Sequence, residues 1–497
     1  MKNFFPLNQI YKISKKYPNS IAVESSDKSF SYKRFAQMVL NLSNQIISKK
    51  KRANVVIIGE KNILSYVSFF SVLEAGGTYI PISSNLPVER IFEIISLTKA
   101  EIIISKNKNL SLFKKKFPNK FFFSEKSLNF QIHKNNLKIK KDEKINELAY
   151  IIFTSGSTGV PKGVCISRES LNHYVKWLYT KLKIPVGARC SQFPEIGFDL
   201  SVTDIYGTLC SGGTLCPVDN NFSKIFPGRF IKNKKINFLV CVPSLIDIIR
   251  NSNDLNKKNF KLLKRIFFCG EPLLKSQVRD IFNAKKNLEI INAYGPTEAT
   301  VSCTYKKITQ KNLIKNVGQS ISIGKTIKGM KIKLLERGKF SKRRGEILIF
   351  GKQLASGYLK KTENKNKFIY TKKEGFYFKT GDYVEIKNGE MYFKNRVDRQ
   401  VKIKGNRIEL DDITASLKKF GLKNITTIVL NNKIIAFYSD KIKINFLNMK
   451  RFLQKKLPDY MLPDYYFYIK KIPYNQNTKL DISYLIKLAK QKINEKK

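Results

Sequence analysis

Short apolar runs alternate with segments of helical period until about residue 290, and this alternation constrains the fold more than any other feature of the sequence. Residues 53–59, Ala-Asn-Val-Val-Ile-Ile-Gly, are apolar and β-branched enough for a buried strand. Residues 62–75 carry helical periodicity and stop at Gly76-Gly77. A strand at 78–82, a helix at 87–98 and a strand at 100–104 follow. Such alternation builds largely parallel sheets layered with helices. From about 320 the pattern changes to short strands, such as 345–350, between glycine-containing turns, and 376–410 reads as hairpins. The Lys- and Asn-rich stretch 105–145 reads as exposed, irregular connection. The expected fold class is α/β. A large N-terminal domain of layered sheets with helices spans 1–397, and a small mobile α+β domain spans 398–497. The boundary falls in the charge-rich segment around Asp398.

A chain of 497 residues is too long for a single core. Its net charge of +55, from 93 basic and 38 acidic residues, raises the question of a nucleic-acid or membrane-surface binder. The excess is nearly all lysine and is scattered over every segment, the distribution of solvated faces, so no nucleic acid is expected as partner. Such a surface would still steer an acidic protein partner. The seven cysteines form no CxxC pair, which argues against a disulfide framework or a zinc site. The start is too short in apolar residues for a signal peptide. No run approaches the ~18 apolar residues of a membrane span. A cytoplasmic monomer without membrane insertion is expected.

The chemistry is carried by residues 149–163, Ala-Tyr-Ile-Ile-Phe-Thr-Ser-Gly-Ser-Thr-Gly-Val-Pro-Lys-Gly. An apolar strand at 150–153 runs into a loop, and a helix begins near 168. Glycines let backbone N–H groups turn inward as an anion nest. Thr154, Ser155, Ser157 and Thr158 add hydroxyls around Gly156 and Gly159, and Lys162 adds a positive charge. The loop suits a triphosphate, yet lacks the Gly-Lys-Ser/Thr spacing of the Walker pattern.

This loop resembles the signature of the adenylate-forming (AMP-binding) superfamily, which includes acyl-CoA synthetases, luciferases and the adenylation domains of peptide synthetases. Five further stretches match motifs of that superfamily in order: 73–81, Asn292-Ala-Tyr-Gly-Pro-Thr-Glu298, Thr380-Gly-Asp382, 395–410 and Ile472-Pro-Tyr-Asn-Gln-Asn-Thr-Lys-Leu-Asp481. The resemblance implies attack of a carboxylate on the α-phosphorus of ATP, with pyrophosphate leaving. Both reactants are anionic, so cations and backbone donors are required.

By resemblance, the 154–163 loop holds the departing pyrophosphate, Tyr294 stacks on adenine, and Asn292 lies at the same wall. Thr297 touches the α-phosphate and Glu298 helps hold Mg²⁺. Asp382 accepts both ribose hydroxyls, Arg396 contacts the ribose–phosphate region, and Lys479 bridges the carboxylate and the α-phosphate. The superfamily usually has glycine where Thr478 and Asn395 stand. The resemblance further implies rotation of the small domain about Asp398. The 402–409 hairpin would then swing in to line a channel for a phosphopantetheine thiol.

The substrate class is read from Phe198-Asp199-Leu200-Ser201-Val202. In amino-acid-activating members the matching aspartate binds the α-ammonium, as a buried carboxylate needs a cationic partner. The alternative for Asp199 is a cap of the helical pattern 200–210. The stretches 198–206, 268–271 and 292–301 look like those of D-alanine–carrier-protein ligases. By that likeness Leu200, Thr203, Cys269, Ala293 and Val301 line a small pocket, with Thr203 more polar than expected. The expected function is ATP-dependent activation of an amino acid, D-alanine or another small one. Its acceptor is a phosphopantetheine carrier protein, expected as a separate chain because no carrier-type serine motif follows Lys479. The alternatives are an acyl- or aryl-CoA ligase of the same superfamily, or a charge-driven binder of nucleic acid or membrane surfaces.

Overall fold

The apolar run in the fifties becomes the centre of a sheet. The computed structural model describes residues 4–106, 110–124, 146–156, 160–313, 319–440, 444–474 and 480–495. In it, Asn54–Gly59 pairs in parallel with Thr78–Ser83 on one side and with Ile102–Ser105 on the other. Every residue from Val55 to Gly59 is buried, as a strand covered on both faces requires. The helix Ile63–Glu74 is apolar nearly all round because Leu64 through Glu74 are all buried. Asn62 caps it by accepting from the Ser65 N–H. Gly77 then has no alternative, since a Cβ there would stand 2.4 Å from the Ala53 carbonyl oxygen.

This sheet has seven strands, in the order Gly357–Tyr358, Lys162–Ser167, Leu148–Thr154, Thr78–Ser83, Asn54–Gly59, Ile102–Ser105, Phe121–Phe123. Two of them correct the sequence reading. The stretch read as irregular after 105 contains a helix, Leu110–Lys116, and the strand Phe121–Phe123, which pairs in parallel with Ile102–Ser105. Lysines at the helix end and a three-residue strand hid both; 107–109 and 125–145 lie outside the described residues. The strand Lys162–Ser167 stands between the glycine loop and the helix Arg168–Leu182, where a direct passage from loop to helix was expected. The first residue of that helix is buried. Arg168 donates to the carbonyls of Asn146, Leu73 and Gly77 at 2.9, 3.1 and 2.8 Å. The motif at 73–81 therefore has a structural partner in Arg168.

A nine-stranded sheet is parallel from Ile21–Glu24 through Thr214–Pro217, Arg189–Gln192, Phe238–Cys241 and Arg265–Phe268 to Glu289–Tyr294. Antiparallel strands close both edges. The change of pattern after 320 corresponds to a six-stranded antiparallel sheet built on Met330–Glu336, Arg344–Gly351 and Gly375–Lys387.

The chain divides into two compact units. The first comprises Met1–Ser84, Thr98–Ile152 and Gly163–Val397. The second comprises Asn85–Leu97, Phe153–Lys162 and Asp398–Lys497. The second unit contains the hairpin Gln400–Ile403/Asn406–Glu409. Its three-stranded sheet runs Ile425–Leu430, Lys433–Tyr438, Tyr465–Tyr468, with helices Leu410–Phe420, Phe446–Lys456 and Ile482–Asn494.

All seven cysteines are buried and free. Burial pushes the Cys190 and Cys216 thiols up to about 12, which keeps them protonated and unreactive. Among the described residues only Lys61, Arg90 and Arg168 of the basic side chains are buried, so nearly all of their positive charge reaches solvent. No helix among them is long and apolar enough to cross a membrane.

Candidate active site

The strand Glu289–Tyr294 places Asn292, Ala293 and Tyr294 at its carboxyl end, the edge where open α/β sheets take ligands. Gly295 follows because nothing larger fits: a Cβ there would lie 2.5 Å from Ser302 Cα and 2.8 Å from the Val301 carbonyl oxygen. The chain then makes a 3-10 turn, Thr297–Ala299, and two consecutive left-handed residues, Thr300 at φ 52° and Val301 at φ 71°. For a β-branched residue this region costs on the order of 1–3 kcal/mol and marks functional loops. Three bonds hold the strain. The Thr300 hydroxyl donates to the Gln353 carbonyl at 2.6 Å. The Ala355 N–H donates to the Glu298 carbonyl at 2.8 Å, and the Cys303 N–H to the Tyr294 carbonyl at 2.8 Å. Gly295→Ala should therefore lower stability by about 1–3 kcal/mol through backbone displacement. An unchanged urea midpoint would contradict the tight crossing.

Tyr294 is buried, and its hydroxyl donates to Asp382 Oδ2 at 2.6 Å. Asp382 and Arg396 stand opposite each other in the antiparallel pair Gly375–Lys387/Glu390–Arg396. Arg396 Nη1 meets Asp382 Oδ1 at 2.5 Å, and its Nη2 donates to the Thr380 carbonyl at 3.0 Å. Burial, and then the Asp382 charge, pushes the Tyr294 hydroxyl well above its ordinary value, so it remains a donor. A carboxylate offers about four acceptor sites. Tyr294 and Arg396 use two, which leaves capacity for a pair of neighbouring hydroxyls.

Nearby in the chain, Glu298 is fully buried, and Tyr358 donates its hydroxyl to Glu298 Oε1 at 2.6 Å. Thr297 is buried beside it. Asn292 is held by its side-chain amide, which donates to the Ser322 carbonyl at 3.0 Å.

A second group gathers around Tyr174. Asp199 precedes the helix Leu200–Leu209 but makes no capping bond to it, which removes the capping alternative for this carboxylate. Thr203 shares a 2.8 Å hydrogen bond with the Tyr174 hydroxyl, and Ser302 donates to the same oxygen at 3.3 Å. The Cys269 thiol faces the Val301 carbonyl at 3.7 Å. Burial raises the Tyr174 hydroxyl, and the nearby Cys269 and Asp199 add to the rise. The polarity of Thr203 is thus answered by Tyr174. Leu200 is buried at the start of the same helix.

Neither Tyr174 nor Tyr358 was legible in the sequence. Tyr174 shares the buried face of its helix with Leu171, Val175 and Leu178, which reads as plain core. The one available signal was the hydroxyl itself, which needs a partner when buried.

In the second unit, Thr154 ends the strand Leu148–Thr154 and Lys162 opens Lys162–Ser167. A Cβ on Gly156 would stand 2.0 Å from the Val160 carbonyl oxygen, so only glycine fits at this position. The Ser155 hydroxyl donates to the Arg407 carbonyl at 2.9 Å and accepts from the Glu409 N–H at 3.1 Å. Asp398 Oδ1 accepts from the Gln400 N–H at 3.4 Å. Ser157, Thr158, Gly159 and Lys479 lie outside the described residues.

The model of the family described as AMP-binding enzyme matches residues 11–359. The chain belongs to this family. Among curated members, it is 30% identical to a D-alanine–D-alanyl carrier protein ligase of Lactococcus lactis, over 96% of this chain and 97% of that one. A ligase of the same name from Listeria monocytogenes is 30% identical over 88% and 89% of the two chains. Among solved structures, the Vibrio cholerae adenylation domain AlmE in complex with glycyl-adenosine-5'-phosphate superposes with a TM-score of 0.87. That match has 24% identity and covers 98% of both chains. A nonribosomal peptide synthetase protein containing adenylation and carrier domains gives 0.81 at 21% identity, covering 97% of this chain and 84% of that one. This AMP-binding enzyme thus has the α/β fold of adenylation domains, with a large N-terminal and a small C-terminal part.

Proposed function

We propose that this AMP-binding enzyme joins an amino acid, D-alanine or another small one, to AMP at the expense of ATP. The acyl group then passes to the phosphopantetheine thiol of a carrier protein. The observation that carries the reading is the triad of buried Tyr294 and Asp382 with half-buried Arg396, with bonds of 2.6 and 2.5 Å to one carboxylate. It presents a carboxyl acceptor with unused capacity at the carboxyl edge of the sheet, which suits the two hydroxyls of a ribose. The similarity to carrier-protein ligases over 96% of the chain supports the same reading.

The other residues follow from the charges of the reactants. Tyr294 and Asn292 flank the base. Thr297 contacts the α-phosphate and Arg396 the ribose–phosphate region. The backbone and hydroxyls of the 154–163 loop hold the pyrophosphate group, with Lys162 screening its charge. Glu298 is a hard oxygen donor oriented by Tyr358, which fits Mg²⁺, a cation held by one or two carboxylates together with substrate phosphates. Bound there, Mg²⁺ would screen phosphate charge. Lys479 bridges the incoming carboxylate and the α-phosphate. Asp199 pairs with the α-ammonium. Leu200, Thr203, Cys269, Ala293 and Val301 bound a small side-chain pocket, consistent with a short substrate. Asp398 is the hinge between the two half-reactions.

Amino-acid-dependent ATP–pyrophosphate exchange over L-amino acids, glycine and D-alanine tests the proposal. Exchange with one small amino acid is expected, and Asp199→Ala should raise the KM for that amino acid at least tenfold with little change in the KM for ATP. Silence across the whole panel, or exchange only with fatty or aromatic acids, would overturn it.

A further inference from the structure

In the second unit three stretches far apart in sequence meet: residues 85–97, the glycine loop 153–162 and the chain from Asp398 onward. They converge on the junction between the strand Asn406–Glu409 and the helix Leu410–Phe420. On one side Ser155 grips the strand through the Arg407 carbonyl and the Glu409 N–H. On the other, Arg90 Nη2 stands 3.1 Å from Asp412 Oδ2, in the first turn of the helix. This pair is shut away from water, with Arg90 8% and Asp412 0% exposed.

Burial raises the Asp412 carboxyl, and Arg90 offsets only part of that rise. Taking both charges out of water costs as much as their attraction returns, so the pair adds little net stability. Its contribution is geometric: a guanidinium with fixed donors sets where the junction lies relative to the loop. The neighbouring pair Glu89–Lys456, at 2.6 Å, is half exposed and adds little.

Ser155 shows which arrangement is being held. A hydroxyl has one proton to donate. With that proton on the Arg407 carbonyl, Ser155 cannot also donate to a phosphate oxygen. The docked hairpin and a loop that uses Ser155 to hold pyrophosphate therefore exclude each other.

We propose that Arg90 and Asp412 are positioning residues for the acyl-transfer step, whose ion pair holds the Gln400–Glu409 hairpin against the glycine loop and must part for adenylation. The inference rests on the two-step reaction proposed above. It assigns a separate half-reaction to a pair that touches neither substrate.

The test compares the full-length wild type with Arg90→Ala, Arg90→Lys and Asp412→Asn. Asp412→Asn keeps the side-chain volume and removes the buried charge, so it remains informative if Arg90→Ala folds poorly. Three quantities are read: hydrogen exchange of residues 400–409, ATP–pyrophosphate exchange with D-alanine, and single-turnover transfer from preformed D-alanyl adenylate to pantetheine. The expected result is loss of hairpin protection, transfer slowed at least tenfold, and pyrophosphate exchange within twofold of wild type, with Arg90→Lys intermediate. Unchanged hairpin protection, or equal loss of both half-reactions, would overturn the assignment. A wild type silent in pyrophosphate exchange would count against the reaction instead, and the hairpin's exchange would still decide whether the pair holds it.

Discussion

Replacing Lys479 with alanine is expected to lower amino-acid-dependent ATP–pyrophosphate exchange by a factor of about 10²–10³ or more. Transfer of the acyl group from supplied aminoacyl-adenylate should be largely spared. On the role proposed for Lys479, the magnitude follows from removing a cation from the point where negative charge concentrates. The split follows from the chemistry, because only the first step brings a carboxylate anion onto a phosphate anion. Lys479 lies outside the described residues, and the chain on either side of 475–479 lies within them. Tyr474 and Leu480 form an antiparallel bridge, and Asp481 caps the helix Ile482–Asn494 by accepting from the Tyr484 N–H at 3.0 Å. Steady-state exchange and single-turnover transfer, measured on one preparation, decide the matter. Equal loss in the two assays would remove the assigned role.

Asp382→Ala should be nearly as damaging, and for two separable reasons. The carboxylate holds Tyr294 and Arg396, which are 8% and 10% exposed. Removing it takes the counter-charge from a half-buried guanidinium that keeps its bond to the Thr380 carbonyl, a loss of up to about 3 kcal/mol, the low end for broken buried pairs. On the proposed reading it also removes the acceptor for the ribose hydroxyls, so kcat/KM for ATP should fall by a factor of about 10² or more, since roughly 1.4 kcal/mol corresponds to each tenfold. Asp382→Asn separates the effects. The amide keeps the shape and one acceptor oxygen but loses the charge, so stability should recover in part while ATP use stays impaired. If Asp382→Asn matched wild type in KM for ATP, the ribose contact would be wrong. If Asp382→Ala left thermal stability unchanged, the triad would not be holding the two strands.

Much of the fold could be read locally. The run Asn54–Gly59, the helix Ile63–Glu74 and the stop at Gly76 are properties of neighbouring residues, since side-chain period and glycine's tolerance of positive φ act over a few positions. Where the local signal was weak, the reading failed. Phe121–Phe123 is a three-residue strand beside lysines, and Lys162–Ser167 is masked by the glycine loop that precedes it. The catalytic candidates were named through the resemblance of their motifs to those of the AMP-binding superfamily, since a lone lysine or a Gly-Asp turn carries no such signal.

What the sequence determined by itself was therefore the alternation of the main elements, the helix stop at Gly76-Gly77 and the inventory of charged groups. Only the tertiary structure decided which of these groups meet. Tyr294 and Asp382 are 88 residues apart, and Arg90 and Asp412 are 322 apart. It also revealed Tyr174 and Tyr358 as the partners of Thr203 and Glu298. The reason is physical. Burial makes a polar group seek a partner, but the choice of partner depends on which distant strand or helix packs against it, and no local pattern along the chain carries that distance.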